Sequence, residues 1–140
     1  MGPVIGLLAA IALGYLLGAI PFGVVIARLA GGDDPRTVGS QRTGATNAVR
    51  ALGPRWGLVV GLLDVAKGLV AAAAGAAIGA AVGLVPEWVA AGSCVAAVTG
   101  HIRSVFIGFR GGRGVATAAG GFLVLVPLAL VIVIPIIGAV

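Results

Sequence analysis

Two stretches of this sequence combine arginine and glycine in a way that suits phosphate oxygens. One reads Gly108-Phe-Arg-Gly-Gly-Arg-Gly-Val-Ala-Thr117, at the mouth of an apolar run. Arginine holds phosphate through parallel N–H bonds. Glycine lets backbone amides turn toward an anion, and the start of a following helix adds its own positive end. The stretch is not a Walker A loop, because no Gly-Lys-Ser/Thr occurs in it. Nor is it a dinucleotide fingerprint, because Thr117 stands at the last glycine position. An anion site is favoured over a simple turn.

The other stretch reads Gly31-Gly-Asp-Asp-Pro-Arg-Thr-Val-Gly-Ser-Gln-Arg-Thr-Gly-Ala-Thr-Asn-Ala-Val-Arg50. It is long for a simple link and mixes glycine, hydroxyls, Asn and Arg. Gly39 and Gly44 allow amides to face an anion. Thr46 or Asn47 is a candidate cap for a short helix running toward Arg50. A solvated basic loop that only fixes membrane topology accounts for the same composition.

Three further groups can do chemistry. His101, near Arg103, can act as a base or donate a hydrogen bond, since free imidazole titrates near pH 6.5. Asp64 and Lys67 lie three residues apart, on one face of a helix. Inside a membrane such charges cost roughly 2.5–3.5 kcal/mol each, so they face the bundle interior and pair. The pair is either a staple of the bundle or the positive floor of a site. Cys94, the one cysteine, sits in an apolar run with no nearby base and reads as a small buried hydrophobe. No disulfide, metal or redox centre is expected from it.

The elements that carry these groups are set by composition. The 140 residues are 60% hydrophobic and 9% charged, against about 25% charged in soluble domains. The apolar surface must face lipid or other helices. The expected fold is all-α: a single polytopic transmembrane bundle over residues 1–140, with about four spans. These are Val4 to Ala27, Trp56 to Val85, Trp88 to Phe109 and Val115 to Val140. The apolar N-terminus lacks the basic start of a signal peptide and is read as a retained span. Trp56 and Trp88 fall at span ends, where interfacial anchors sit. Gly14/Gly18, Gly57/Gly61 and Gly75/Gly79/Gly83 repeat every four residues, which suits close helix packing within one bundle. Nothing in the pattern sets an oligomeric state.

Arg28, Arg36, Arg42, Arg50 and Arg55 lie in or beside the first connection, about residues 28–55. Arg103, Arg110 and Arg113 lie around the third, about 101–114. The link near Leu84 to Glu87 carries no Lys or Arg. Both basic connections are therefore expected on the cytoplasmic side, with the N-terminus outside. The net charge of +5, set on a lipid-facing scaffold, points to anionic lipid or a phosphorylated substrate rather than nucleic acid. The apolar run continues to Val140 with no polar tail, so truncation at the C-terminus is expected. An enzyme, a transporter of phosphorylated solutes and an inactive truncated lipid-binding paralogue all fit this pattern. The bare Leu84–Glu87 link disfavours the transporter.

Three motifs in order resemble the acyl-phosphate-dependent glycerol-3-phosphate acyltransferases of bacterial phospholipid synthesis. They are Gly39-Ser40 with Gly44-Ala-Thr-Asn47 and Arg50, then Asp64-Val-Ala-Lys67-Gly68, then Gly100-His101 through Val105-Phe106 to Gly111-Gly-Arg-Gly-Val-Ala-Thr117. The resemblance implies an inner-membrane enzyme, without metal or nucleotide cofactor. Such an enzyme moves a fatty acyl group from acyl phosphate to the sn-1 hydroxyl of glycerol 3-phosphate, giving lysophosphatidic acid and phosphate. It implies that Ser40, Gly44, Thr46, Asn47 and Arg50 bind phosphate, and that Arg110, Gly111, Gly112, Arg113 and Gly114, with Thr117, form a second phosphate hole. Lys67 would add charge, and His101 and Ser40 would shape or polarise the reacting centre. The family usually has Gly-Asn where Gln41-Arg42 stands, and Lys where Arg110 and Arg113 stand. It also continues beyond position 140, with further spans and a third cytoplasmic motif carrying His, Asn and Glu.

Overall fold

The structure is a computed structural model, and it describes residues 2–126. Among these residues all regular structure is helical: α1 (Pro3–Ala19), α2 (Phe22–Ala30), α3 (Ala45–Leu52), α4 (Pro54–Ala81), α5 (Pro86–Ile102) and α6 (Val115–Leu125). Short 3₁₀ turns occupy Pro35–Thr37 and Val105–Ile107. Three stretches are long and apolar enough to cross a membrane: Pro3–Ala30, Pro54–Ala81 and Pro86–Ile107. α6 is a shorter apolar helix. The rest of the expected fourth span, up to Val140, lies outside the described residues.

Helix starts and stops follow local chemistry. α1, α4 and α5 each open on proline, whose missing N–H and preset φ suit the first helical position. α2 ends where Gly31 turns left-handed at φ 66°. α4 ends before Gly83 at φ 71°, with the Leu84 N–H returning to the Gly79 carbonyl at 2.9 Å. The helix therefore stops short of Val85, the expected end of the second span.

The first stretch is not the continuous span expected from Val4 to Ala27. Pro21 has no N–H to give and its ring crowds the preceding turn. The chain makes a tight turn there, with the Phe22 N–H donating to the Ile20 carbonyl at 3.1 Å. α2 then starts afresh at Phe22 and leads into the first basic connection. The third stretch differs too: α5 ends at Ile102 and only the 3₁₀ turn carries the chain on toward Phe109.

α4 is the hub, packing against α1, α3, α5 and α6. Its buried side reads Gly57, Val60, Asp64, Lys67, Gly68, Ala71, Ala72, Gly75 and Gly79, the three-and-four spacing of one helix face. Leu58, Leu62 and Val70 are exposed on its lipid side. Apart from Gly83, which turns the chain after α4, the glycine repeats lie in the helix seams. A Cβ on Gly14 or Gly18 would run into the backbone of Ser93 or Ala97 on α5. Gly57 and Gly61 receive α3, against Val49 and Ala45. Close backbone contact of this kind replaces hydrophobic driving force between helices in lipid. Trp88 is 77% exposed at the start of α5, as an interfacial side chain must be.

Candidate active site

Both basic connections meet at one end of the bundle. A cavity of about 410 Å³ opens there, walled by Ser40, Arg42 and Arg50 from the first connection and α3, and by Arg113 and Gly114 from the second. Asp64 of α4 and His101 of α5 reach the same cavity. Ala45, Val115, Ala116 and Ala119 give it an apolar side.

Two helices begin at this cavity. Gly44 is the N-cap of α3 and Gly114 that of α6, and neither start has a side-chain cap. Gly44, Ala45 and Thr46 line the cavity, as do Gly114, Val115 and Ala116. First-turn N–H groups without side-chain acceptors carry the positive end of the helix dipole. Converging with three guanidinium groups, they make a strongly anion-seeking wall. The α3 cap falls at Gly44 rather than at Thr46 or Asn47, so those two side chains sit inside the first turn.

Asn47 proves to be spent on its own loop. Its Nδ2 donates to the carbonyls of Val38 (3.0 Å) and Arg42 (2.9 Å), and to that of Pro35 in a shorter contact. Its Oδ1 accepts from the Ser40 N–H at 3.2 Å. The residue is 2% exposed. Asn47 thus knots the first connection and holds Ser40 at the cavity rim. At the loop's outer end, Arg36 grips Asp34 in a two-pronged pair at 2.7 and 3.1 Å. That guanidinium holds the Asp34 carboxyl below its usual range despite partial burial. Arg36 is thereby neutralised, whereas Arg42, which stands in a departure from the family pattern, lines the cavity.

Gln41 sits in left-handed backbone at φ 56°, where the family has glycine. A side chain there costs about 1–2 kcal/mol, partly offset by the lower unfolded-state entropy of a non-glycine residue. Gln41→Gly is therefore expected to raise stability by up to about 1 kcal/mol, read as a higher thermal midpoint in detergent.

The second basic connection is folded back on α5. The Gly111 N–H donates to the Ile102 carbonyl at 3.1 Å, and the Gly112 N–H to the His101 carbonyl at 3.0 Å. These amides are thus used internally, and the anion-facing part of the stretch is Arg113, Gly114 and the start of α6. A Cβ on Gly112 would overlap Nε2 of His101, so the imidazole lies flush against the hairpin. Arg110 and Gly111 face a neighbouring cavity of about 640 Å³ that also touches Ser40, Arg42 and Arg103. Ser40 and Arg42 stand between the two. Thr117 is fully buried in the α4–α6 seam, with its carbonyl against Gly68, and does not wall either cavity.

Beneath the cavity lies a buried polar cluster. Asp64 Oδ1 is 3.5 Å from His101 Nδ1 and 2.9 Å from Lys67 Nζ. Both are charge contacts, and Oδ1 accepts a hydrogen bond from neither group. Lys67 Nζ also donates to the Ile20 carbonyl at 2.9 Å. Lys67 was expected to hold phosphate. It does not wall the cavity, because its ammonium is spent on Asp64 and on the α1–α2 break. Asp64 belongs with the site residues instead. The signal for it was its place three residues before Lys67, on the same helix face.

Fold and cavity together define a multi-pass helical membrane protein with a cation-lined, apolar-flanked cavity at one face. Comparison with known proteins narrows this class. Residues 8–140 match the family described as glycerol-3-phosphate acyltransferase. A glycerol-3-phosphate acyltransferase of Anaeromyxobacter sp. (strain K) is 49% identical over 119 residues, covering 85% of this chain and 59% of that protein. One from Chlorobium phaeobacteroides is 42% identical over 136 residues, covering 93% and 58%. The crystal structure of PlsY (YgiH), an integral membrane glycerol 3-phosphate acyltransferase, matches in its glycerol 3-phosphate form. The TM-score is 0.78 at 41% identity, covering 90% of this chain and 60% of that one. Its lysophosphatidic acid form matches with a TM-score of 0.75. This chain belongs to the glycerol-3-phosphate acyltransferase family, and spans about three fifths of the length of the relatives it matches.

Proposed function

We propose that this chain transfers a fatty acyl group from acyl phosphate to the sn-1 hydroxyl of glycerol 3-phosphate, giving lysophosphatidic acid and phosphate. We read the reaction as lying at the cytoplasmic face of the bacterial inner membrane, a reading supported by the two basic connections at the cavity end. The observation that carries the reading is one cavity walled by Ser40, Arg50 and Arg113, with Asp64 and His101 at its base. The PlsY neighbours, in glycerol 3-phosphate and lysophosphatidic acid forms, support substrate and product of this chemistry.

In this scheme the cationic wall and the starts of α3 and α6 hold the phosphates. The alanine side receives the first carbons of the acyl chain. The acceptor oxygen attacks the acyl carbon, and a C–O bond forms. The acyl carbon's bond to the phosphate oxygen breaks, and phosphate leaves with the electron pair. His101 takes the hydroxyl proton and passes it to the departing phosphate, with Asp64 stabilising the charged ring. Acyl phosphate is already activated, so positioning and charge stabilisation suffice without a covalent enzyme intermediate.

The test is direct. Purified protein in lipid, given acyl phosphate and labelled glycerol 3-phosphate, should release labelled lysophosphatidic acid; a persistent absence of product defeats the proposal. Arg113→Ala should raise a substrate KM by about 10- to 100-fold, the loss expected for a charged hydrogen bond of about 1.5–3 kcal/mol. An unchanged KM for both substrates would remove Arg113 from the phosphate wall.

A further inference from the structure

The α1–α2 break leaves carbonyls at a helix end, deep in the bundle, that need donors. Ser104 Oγ donates to the Ala19 carbonyl at 2.5 Å, and Lys67 Nζ to the Ile20 carbonyl at 2.9 Å. Lys67 is 5% exposed and is the only lysine in the sequence. Every other Lys or Arg position is an arginine, and the two basic connections carry all eight in or beside them. A lone buried ammonium at this place therefore has a local purpose.

Its contacts form one chain across the site. They run from the Ile20 carbonyl to Lys67 Nζ, to Asp64 Oδ1, and then to His101 Nδ1. The far edge of the imidazole lies against Gly112 of the hairpin that carries Arg113. The chain thus begins where the first basic connection departs from α1 and ends at the second. A carboxylate facing Nδ1 favours the ring form with its proton on that nitrogen. Nε2 then carries no proton where it meets Gly112.

We propose that Lys67 is a positioning residue. Anchored on the α1–α2 break, it holds the Asp64 carboxylate beside Nδ1 of His101 and so fixes the ring form and orientation the cavity needs. The role rests on the acyl-transfer reading above but reaches a residue that touches no substrate. A bundle staple alone would require only that Lys67 and Asp64 neutralise each other.

His101 is the only histidine in the sequence, so nitrogen-15 labelling of histidine gives one ring to follow. In lipid nanodiscs the wild-type spectrum should show a single form protonated at Nδ1. Lys67→Met should give a mixture of ring forms. Its kcat should fall about 10- to 100-fold, as a misplacement near 1 Å does, with KM for glycerol 3-phosphate within about twofold. The proposal is overturned by a wild-type ring protonated at Nε2. It is equally overturned by a folded Lys67→Met protein whose histidine spectrum or kcat matches wild type. If Lys67→Met does not fold, Lys67→Gln, which keeps a donor for Ile20 without the charge, is read by the same signals. An inactive wild-type protein would defeat the acyl-transfer reading while the histidine spectra still decide this one.

Discussion

Asp64→Asn is expected to lose both stability and turnover, and a second change should separate the two. Asp64 is 1% exposed and faces Lys67 at 2.9 Å. Removing one partner of a buried ion pair strands the other charge, at a cost of about 3–5 kcal/mol. It also deprives His101 of the carboxylate at Nδ1, and loss of general-base support costs about 10²- to 10⁴-fold in kcat. Adding Lys67→Met removes the stranded ammonium. The double variant should regain part of its thermal midpoint, because no buried charge is left unpaired, while the Ile20 carbonyl still lacks its donor. Its kcat should stay low. A double variant with restored turnover would show that the carboxylate serves only to balance charge.

The other large effect concerns the α4–α6 seam. A Cβ on Gly68 would land on the Thr117 carbonyl, and one on Gly120 would land on the Val65 carbonyl. The two helices therefore touch backbone to backbone, each glycine seated against its neighbour. Gly68→Val forces them apart. Overpacking in a well-packed core costs about 1–3 kcal/mol, and here backbone rather than a movable side chain is struck, so the upper end is expected. α6 begins at the cavity with Gly114, so the shift also moves Arg113. Gly68→Val should lower the thermal midpoint in detergent and abolish transfer. Gly2→Val, at a glycine with open space around it, should do neither. A folded Gly68→Val protein with full activity would show that the seam does not position the cavity.

Much of this was legible in the sequence, for reasons visible in particular residues. Hydrophobicity over spans of about 20 residues reports a membrane directly, so the helical bundle could be read from composition. The four-residue glycine spacing announced the seams, and Arg and Gly clustering marked both connections. What escaped the reading depends on long-range contacts. Pro21 splits the first stretch because the Ile20 and Ala19 carbonyls can be satisfied by Lys67 and Ser104, 47 and 85 residues away. Asn47 lines the cavity, yet its amide also binds carbonyls that only the folded loop brings near. Lys67 has the charge for phosphate but not the place. Arg42, a departure from the family pattern, lines the cavity. Gln41 beside it keeps a left-handed backbone made for glycine, which no periodicity reveals.

The central claim is that one cavity, on one face of the membrane, gathers both basic connections. It can be tested by single cysteines at Ser40 and at Arg113 in a Cys94→Ala background, labelled with a membrane-impermeant maleimide in sealed vesicles of known orientation. Both positions should label only from the cytoplasmic side, and glycerol 3-phosphate should slow labelling at both. Labelling from opposite sides, or protection at neither position, would contradict the account.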